Sequence, residues 1–193
     1  MALITLARAQ MVPSLASANA AYLTLLIDAA GDMAERYCKR VFTSTTYTDE
    51  VYDGDGSTLM QLDRFPVTTL TTVKVVETDE TETSCAGSQF RIDGAIGEIK
   101  FKPQATSTYV YFPTGYQNIK VTYVAGYPTI PEAVQEAVAQ ICAWIHAEAS
   151  ATPGIESWKL GDAAVKYKTP YADTPSLPPL VRELLSTYRQ VIP

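Results

Sequence analysis

The chain has 193 residues, of which 47% are hydrophobic and 19% are charged. This composition is typical of a folded globular protein and excludes an intrinsically disordered one. The 15 basic and 21 acidic residues give a net charge of -6. That balance argues against tight non-specific binding of nucleic acid, which needs clustered Lys and Arg.

Two helices joined by a polar connection are predicted at the N-terminus. Leu3–Met11 is amphipathic and is ended by Pro13. A second helix is predicted over Ala20–Lys39, with Ser17 or Asn19 as its N-cap. Apolar residues at helical spacing form one stripe along it, namely Leu23, Ile27, Ala30, Ala34 and Tyr37.

Neither a membrane span nor a secretion signal is expected. The best apolar run, Ala20–Ala30, is too short to cross a bilayer and is interrupted by polar residues. The N-terminus lacks the basic region with which a signal peptide begins. The cysteines Cys38, Cys85 and Cys142 form an odd set without a CxxC pair. We expect them to be buried, reduced thiols.

A β region is predicted over residues 43–124, which are rich in Thr, Val and Tyr and have turn residues at short intervals. Asp53-Gly54-Asp55-Gly56 predicts a hairpin turn between the first two strands, and Asp93-Gly94 with Gly97 predicts a second hairpin. Residues 78–88 are polar and acidic, so an exposed loop is expected there. The predicted strands are Thr45–Tyr52, Ser57–Leu62, Val67–Val76, Phe90–Ile92, Glu98–Phe101, Thr108–Phe112 and Asn118–Val124.

The stretch Ile119–Ala137 predicts the return from the sheet to a helix. Gly126, Pro128 and Pro131 form a candidate framework junction, because Gly permits unusual backbone angles and Pro cannot donate to a strand ladder. Thr129 begins a capping-box pattern with a Glu three residues later, which predicts the N-cap of the following helix.

The rest of the chain predicts a long helix, a small hairpin and a C-terminal arm. The long helix spans Pro131–Ser150, and the hairpin Glu156–Lys168 turns at Gly161-Asp162. Pro170–Pro179 contains four prolines and is expected to be extended. An amphipathic helix, Leu180–Gln190, ends the arm. Periodicity alone leaves open whether this helix folds back onto its own core or docks elsewhere.

The order of elements predicts an α+β fold, with a helical bundle frame, an inserted antiparallel β region and a C-terminal arm that ends in a helix. We divide the chain into N-terminal helices (1–42), the inserted β region (43–124), the central helix with a small hairpin (125–169) and the Pro-rich arm (170–193). This organisation amounts to one structural domain plus an arm.

No sequence motif predicts a catalytic, cofactor or metal site. A calcium loop that began at Asp53 would need Gly at its sixth position and Glu at its twelfth, where the chain has Thr58 and Arg64. Cys142 and His146 are four residues apart on the predicted helix, so their side chains could form a thiol–imidazole dyad. No third group that would orient the imidazole can be named.

The aromatic residues at the end of the β region have two interpretations. Tyr109, Tyr111 and Phe112, together with Tyr116, Tyr123 and Tyr127, could stack on nucleic-acid bases. In strands of a Thr-rich sheet, however, such residues are typical of the core and of cross-strand pairs. The acidic net charge favours the second interpretation.

Seven segments carry a family resemblance through their order and spacing, over almost the full length of the chain. They are LIDAAGDMAERYCKR (Leu26–Arg40), YDGDGS (Tyr52–Ser57), FPVTTLTTV (Phe65–Val73), IKVTYVAGY (Ile119–Tyr127), IPEAVQEAV (Ile130–Val138), LGDAAVKY (Leu160–Tyr167) and LPPLVRELLSTYR (Leu177–Arg189). In this combination the chain resembles the head–tail connector proteins of long-tailed bacteriophages, also called adaptor or head-completion proteins.

The resemblance implies a structural protein of the virion neck, without enzymatic activity and without a cofactor. Members form a ring, typically of twelve copies, beneath the portal vertex of the filled head. The ring extends the DNA channel, and DNA passes through it without specific binding. The implied partners are further copies of the chain, the portal protein and a stopper or tail-completion protein. Synthesis is expected in the bacterial host cytoplasm.

The resemblance also implies that the C-terminal segment can reach the portal. Our hypothesis is that Leu180, Leu184, Leu185 and Tyr188 anchor this arm. The alternatives are another structural protein of the neck or tail, such as a stopper or terminator, and a small enzyme that uses Cys142 and His146.

Overall fold

The computed structural model of the protein describes residues 2–102, 111–150, 155–159, 164–167 and 177–190. Within these ranges the helices are α1 (Leu6–Gln10), α2 (Ala20–Cys38), α3 (Glu132–Ser150) and α4 (Pro179–Ser186). The strands are β1 (Thr45–Gly54), β2 (Leu59–Gln61), β3 (Val67–Val76), β4 (Glu82–Ala86), β5 (Phe90–Asp93), β6 (Glu98–Phe101), β7 (Gly115–Ala125), β8 (Ile155–Lys159) and β9 (Ala164–Tyr167). This content confirms the predicted α+β class.

The chain divides into two compact units. The helical unit consists of Met1–Lys39 together with Pro131–Pro193, and the β unit is the continuous segment Arg40–Ile130. The β unit is thus inserted between α2 and α3.

Helix α2 is the main element of the N-terminal half of the helical unit. Its N-cap is Asn19, whose side-chain oxygen accepts a hydrogen bond from the Ala21 backbone N–H at 2.8 Å. Its buried face packs against α3, and α1 packs against both helices. The helix ends at Cys38, and its C-cap Lys39 adopts a left-handed conformation with φ of 54°. The prediction of a helix over Ala20–Lys39 is therefore confirmed to within one residue.

Helix α3 begins two residues later than the predicted capping box would place it. The first residue is Glu132, and the Gln135 backbone N–H donates to the Pro131 carbonyl at 3.0 Å. Pro131 is therefore the N-cap, and the prediction of Thr129 in that role is wrong. The reason is steric, because a residue before Pro is disfavoured in helical conformation, and this holds for Ile130. Helical spacing predicts one buried face of Val134, Val138, Ile141 and Ile145; the first three are fully buried, and Ile145 is half-buried.

The β unit contains two antiparallel sheets that share one hydrophobic core. The larger sheet has the strand order β1-β7-β3-β4, and the smaller sheet has the order β2-β6-β5. The core contains side chains of both sheets, namely Met60, Leu62, Val67, Leu70, Val73, Cys85, Phe90, Ile99, Phe101, Phe112, Ile119, Val121, Tyr123 and Ala125. The pairing of β5 with β6 confirms the hairpin that was predicted at residues 93–97.

The hairpin predicted at Asp53–Gly56 is wrong. β1 pairs with β7, and β2 pairs with β6 in the other sheet, so the segment between them connects two sheets. The backbone N–H groups that would form a tight turn instead donate hydrogen bonds to residues far along the chain. The Gly54 N–H donates to the Asn118 side chain at 2.9 Å, and the Gly56 N–H donates to the Phe112 carbonyl at 2.9 Å.

The exposed loop predicted over residues 78–88 is also wrong in its second half. Glu82–Ala86 forms β4, an edge strand in register with β3, and it buries Cys85 opposite Val73. The acidic Glu82, which favoured a loop, is accommodated because Lys74 and Lys120 lie within 3.4 Å and 2.6 Å of its carboxylate. Cross-strand pairing thus outweighs the polar composition of the segment.

Three further predictions concern residues near the limits of the described ranges. Of the predicted strand Thr108–Phe112, residues 108–110 lie outside the described residues, and Tyr111 and Phe112 are not in a strand. The small hairpin is confirmed, because β8 pairs with β9 in antiparallel orientation. Most of the Pro-rich segment, residues 170–176, lies outside the described residues.

Candidate functional site

The candidate framework junction is built around Gly126. Its φ is 111°, its N–H donates to the Pro66 carbonyl at 2.9 Å, and a Cβ at this position would lie 2.3 Å from the Thr43 carbonyl oxygen. The Tyr127 N–H donates to the Phe42 carbonyl at 2.8 Å. The two ends of the β unit are therefore hydrogen-bonded to each other. Of the other predicted junction residues, Pro128 is exposed and Pro131 caps α3.

An aromatic clamp reinforces this junction. The Arg40 guanidinium lies 4.4 Å from the centre of the Phe65 ring and donates to the Tyr127 hydroxyl at 3.3 Å. Phe42 stacks on Tyr127 with 6.1 Å between ring centres. The sequence did not indicate this clamp, because its members are separated by up to 87 residues.

The C-terminal helix α4 packs on its own helical unit, against α2 and α3. Val181 and Leu185 are fully buried. The Cys38 thiol donates to the Leu185 carbonyl at 3.7 Å, and the Gln190 N–H donates to the Cys38 carbonyl at 2.8 Å. The Arg189 guanidinium lies 5.6 Å from the centre of the Tyr37 ring.

The four predicted anchor residues of the arm differ in exposure. Leu185 is fully buried, Leu184 and Tyr188 are half-buried, and Leu180 is 59% exposed. Leu185 thus holds α4 to its own unit, whereas Leu180 is presented to solvent. Val181, which lies one turn before Leu185, is also fully buried.

The arrangement around Cys142 does not favour nucleophilic chemistry. Burial raises the pKa of the Cys142 thiol to about 11, so the thiol is uncharged near neutral pH. The His146 ring packs against Tyr22, with 5.8 Å between ring centres. Since the thiolate is the reactive form, burial works against the proposed dyad. Cys38 and Cys85 are buried free thiols as well, as predicted.

The carboxylates of the Asp53–Gly56 segment bind backbone donors. Asp53 accepts a hydrogen bond from the Gln117 N–H at 2.6 Å, and Asp55 accepts one from the Ser57 N–H at 2.8 Å. The hydrogen bonds from Ser57 lower the pKa of Asp55. Among the described residues, no group of three or more His, Cys, Asp or Glu could hold a metal ion. These side chains therefore shape the connection between the two sheets.

A polar network lies at the edge of the β-unit core. The hydroxyls of Tyr52 and Tyr123 both donate to the Glu50 carboxylate, and the two hydroxyl oxygens are 3.0 Å apart. Burial, followed by the neighbouring Glu50, raises the pKa of both tyrosines. The Arg64 guanidinium lies 3.7 Å from Glu50. The network joins β1 to β7. In the sequence, the only signal for it is the pattern of alternating Tyr residues in these two strands.

The aromatic residues of the β unit divide between core and surface. Phe112 and Tyr123 are fully buried, which favours the core interpretation for them. Tyr111 is exposed, and Tyr116 is 80% exposed at the start of β7. The described aromatic residues thus do not line one common surface on which bases could stack.

A second network covers the exposed face of the larger sheet. The Lys74 ammonium lies 3.1 Å from Asp49 and 3.4 Å from Glu82, and Lys120 lies 2.6 Å from Glu82. Hydrogen bonds from Lys120 and then Lys74 lower the pKa of Glu82, and the hydrogen bond from Lys74 lowers that of Asp49. The network connects all four strands of this sheet.

None of the described helices is long and apolar enough to cross a membrane. A search of curated proteins finds no match. Solved structures give matches in fold at low sequence identity. The chain is similar to one from the neck of an empty gene transfer agent (GTA) particle computed with C6 symmetry, at 18% identity and a TM-score of 0.58, covering 92% of this chain and 82% of that one.

Two other solved structures have a similar fold. One is the neck of a native GTA particle computed with C12 symmetry, at 19% identity and a TM-score of 0.54, covering 89% of this chain and 84% of that one. The other is the virion of a native GTA particle, at 16% identity and a TM-score of 0.54, covering 91% and 80%. The family model described as "Head completion protein" matches residues 2–191. The chain, matched over nearly its whole length, belongs to the head completion protein family.

Proposed function

We propose that this protein is a structural component of the virion neck that joins the filled head to the tail. In this role it forms a ring below the portal and extends the DNA channel. The observation that carries the proposal is the match of residues 2–191 to the head completion family. The similarity in fold to chains from GTA necks supports it.

The proposed assembly contains twelve copies and contacts two other proteins. The C12 symmetry of one similar neck supports a dodecamer. The portal protein would lie on one side of the ring, and a stopper or tail-completion protein on the other. The two 19-residue helices α2 and α3 argue against an all-β stopper or terminator as the identity of this chain.

The proposed role needs no enzymatic activity. The buried Cys142 thiol, with its raised pKa, supports this view. DNA would pass through the ring without specific binding, a proposal supported by the net charge of -6. Tight binding of duplex DNA by the purified ring at physiological salt would contradict it.

Electron microscopy of the chain mixed with portal rings tests the ring proposal. We expect an added ring with an axial hole on one end of the portal, in negative stain. A chain that stays monomeric both alone and with portal rings would refute the proposal. The chain alone is not sufficient as a test, because subunit rings can require the portal as a template.

We further propose that the C-terminal arm binds the portal through the exposed side of α4. Leu180 is 59% exposed, whereas Leu185 is buried against the helical unit. Binding through Leu180 and the half-buried Leu184 therefore leaves the packing of α4 largely in place. An arm that bound through Leu185 would first have to leave its own unit.

Two variants test this docking. Deletion of Thr174–Pro193 and the substitution Leu180→Ser should both weaken binding to portal rings, measured by co-sedimentation. The exposed change Glu183→Ala on the same helix is the matched control and should leave binding unchanged. If the deletion bound portal rings as well as the full chain, the arm would have no part in docking.

A further inference from the structure

The outer face of the smaller sheet arranges like charges directly opposite each other. In the register of β5 and β6, Arg91 faces Lys100, and Asp93 faces Glu98. Of the alternate residues in these strands, Phe90, Ile99 and Phe101 are buried in the core, and Ile92 is 39% exposed. The face therefore presents one basic row and one acidic row. We call it the two-row face.

This arrangement costs stability within one copy. Like charges directly opposite in an antiparallel pair repel, whereas opposite charges there would attract. Among the described residues, no ion pair within 4 Å includes Arg91, Lys100, Asp93 or Glu98. The larger sheet differs, because Lys74 there lies between Asp49 and Glu82. Two rows of unpaired charge thus remain for a partner to neutralise.

Helix α2 carries a matching pattern on its solvent side. Leu25, Ala29, Asp32 and Arg36 are spaced by four, three and four residues, so they form one stripe, and all four are exposed. Leu25 is 70% exposed and contributes an apolar side chain to this stripe. No ion pair of the described residues includes Asp32 or Arg36. We call this set the outer stripe.

The spacing of charges on the two surfaces agrees. Asp32 and Arg36 are about 6 Å apart along a helix that rises 1.5 Å per residue. The basic and acidic rows are about 6.6 Å apart along strands that rise about 3.3 Å per residue. An α-helix laid along β6 can therefore place Asp32 over Arg91 and Lys100 while Arg36 lies over Asp93 and Glu98. Small Ala29 lets the helix approach the sheet closely.

We propose that the outer stripe of one copy docks on the two-row face of the next copy in the ring. The contact joins two different surfaces, as a head-to-tail contact in a cyclic ring requires. Leu25 and the partly exposed Leu59 add apolar area at the side of this contact. Leu59 lies in β2 and is paired with Lys100 of β6. The proposal rests on the proposed ring function and names the surfaces that would form it.

Charge reversal tests the contact. Asp32→Lys or Lys100→Glu alone should weaken ring assembly on portal rings about tenfold or more, because like charges then meet across the contact. The double variant should recover most of the loss. Glu136→Lys, an exposed reversal on α3, is the matched control and should assemble normally.

Lys100→Glu should change two measured quantities in opposite directions, namely the unfolding temperature of the single chain and the assembly of the ring. Within one copy it places a carboxylate opposite Arg91, so the single chain should unfold at a slightly higher temperature while its ring assembles less well. A variant that only damaged the fold would lower both quantities. Such a result would overturn the proposal.

Cross-linking distinguishes this contact from a two-fold one. The natural cysteines Cys38, Cys85 and Cys142 are buried, so introduced surface thiols react selectively. The double variant Ala29→Cys/Leu59→Cys, treated with a short bis-maleimide in the assembled state, should give a ladder of oligomers larger than dimers. Each single variant should stay monomeric on a denaturing gel.

The outcomes separate the two proposals. If the unmodified chain forms rings but the double cysteine variant gives no ladder, this contact is wrong and the ring function stands. Dimers from Leu59→Cys alone would replace it by a two-fold contact between two-row faces. If the unmodified chain forms no ring with portal rings, the ring function itself fails, and this contact fails with it.

Discussion

Gly126 has a φ of 111°, and a Cβ on it would lie 2.3 Å from the Thr43 carbonyl oxygen. Both the backbone angle and the lack of space exclude other residues at this position. We expect Gly126→Ala to lower the free energy of unfolding by about 1–3 kcal/mol from backbone strain, with the steric overlap adding to it. Urea unfolding followed by circular dichroism measures the change.

Gly31 supplies the matched control for this substitution. It lies within α2, where an added Cβ would meet Leu3 side-chain atoms at 3.6 Å, an ordinary contact distance. Gly31→Ala should therefore raise stability by about 0.5–1 kcal/mol, the usual gain of Ala over Gly in a helix. Equal effects of the two substitutions would show that Gly126 is not held as described.

At the scale of elements, different residues of α4 are expected to carry the stability of the fold and the docking to the portal. Leu185→Ala removes a fully buried side chain and should cost about 2–5 kcal/mol of stability. Leu180→Ala removes an exposed one and should change stability by less than about 0.5 kcal/mol. Thermal unfolding of the two variants beside the unmodified chain tests this. A large loss for Leu180→Ala would mean that α4 packs through its other side.

The ion network of the larger sheet predicts a loss of stability in acid. The pKa of Glu82 lies below its ordinary 4.5 and that of Asp49 below its ordinary 3.8, so the folded chain binds these protons less readily than the unfolded chain. Their contribution is therefore present above these values and is lost as the pH falls through the lowered ones. Lowering the pH from 6 to 3 should destabilise the β unit.

The variant Glu82→Gln tests this source of the pH dependence. The stability difference between the unmodified chain and Glu82→Gln, from urea unfolding, should shrink as the pH falls from 6 to 3. Glu183→Gln removes an exposed carboxylate of α4 that has no ion-pair partner among the described residues, and it serves as the control. A difference that stayed constant across this range would remove the network as the cause.

Elements with local signals could be predicted from the sequence, and elements with distant partners could not. Helix α2 follows from its apolar stripe and the Asn19 cap, both within the helix itself. β4 was missed because its fit depends on Val73 and Val75 of another strand. The false hairpin at Asp53–Gly56 had the right turn residues, but Asn118 takes the Gly54 N–H. Periodicity described the apolar face of α4 without naming what covers it.

The same limit applies to the candidate site. A special role for Gly126 was predictable, because Gly between a strand and Pro128 signals an unusual backbone angle. The clamp of Arg40 on Phe65 and Tyr127 was not predictable, because it depends on the folded positions of distant residues. The charges of the two-row face are plain in the sequence, but their opposition appears only in the register of β5 and β6.

At the scale of the whole molecule, the β unit meets the conditions for folding alone. It is the continuous segment Arg40–Ile130 and has its own hydrophobic core. Its ends are already joined, since the Tyr127 N–H donates to the Phe42 carbonyl at 2.8 Å and Thr43 forms a parallel bridge with Tyr127. Because these bonds within the β unit hold its two ends together, the unit does not need the helices to bring its ends into place.

We therefore expect a fragment of residues 40–130 to fold cooperatively, with a β-type circular dichroism spectrum and dispersed amide resonances. The same fragment with Gly126→Ala is the control, and it should be markedly less stable because it strains the closure of the two ends. A fragment that remained unfolded would show that the β unit needs the helices for its stability. In that case mutations in α2 and α3 should lower the stability of both units together, whereas independent units would give two separate unfolding transitions.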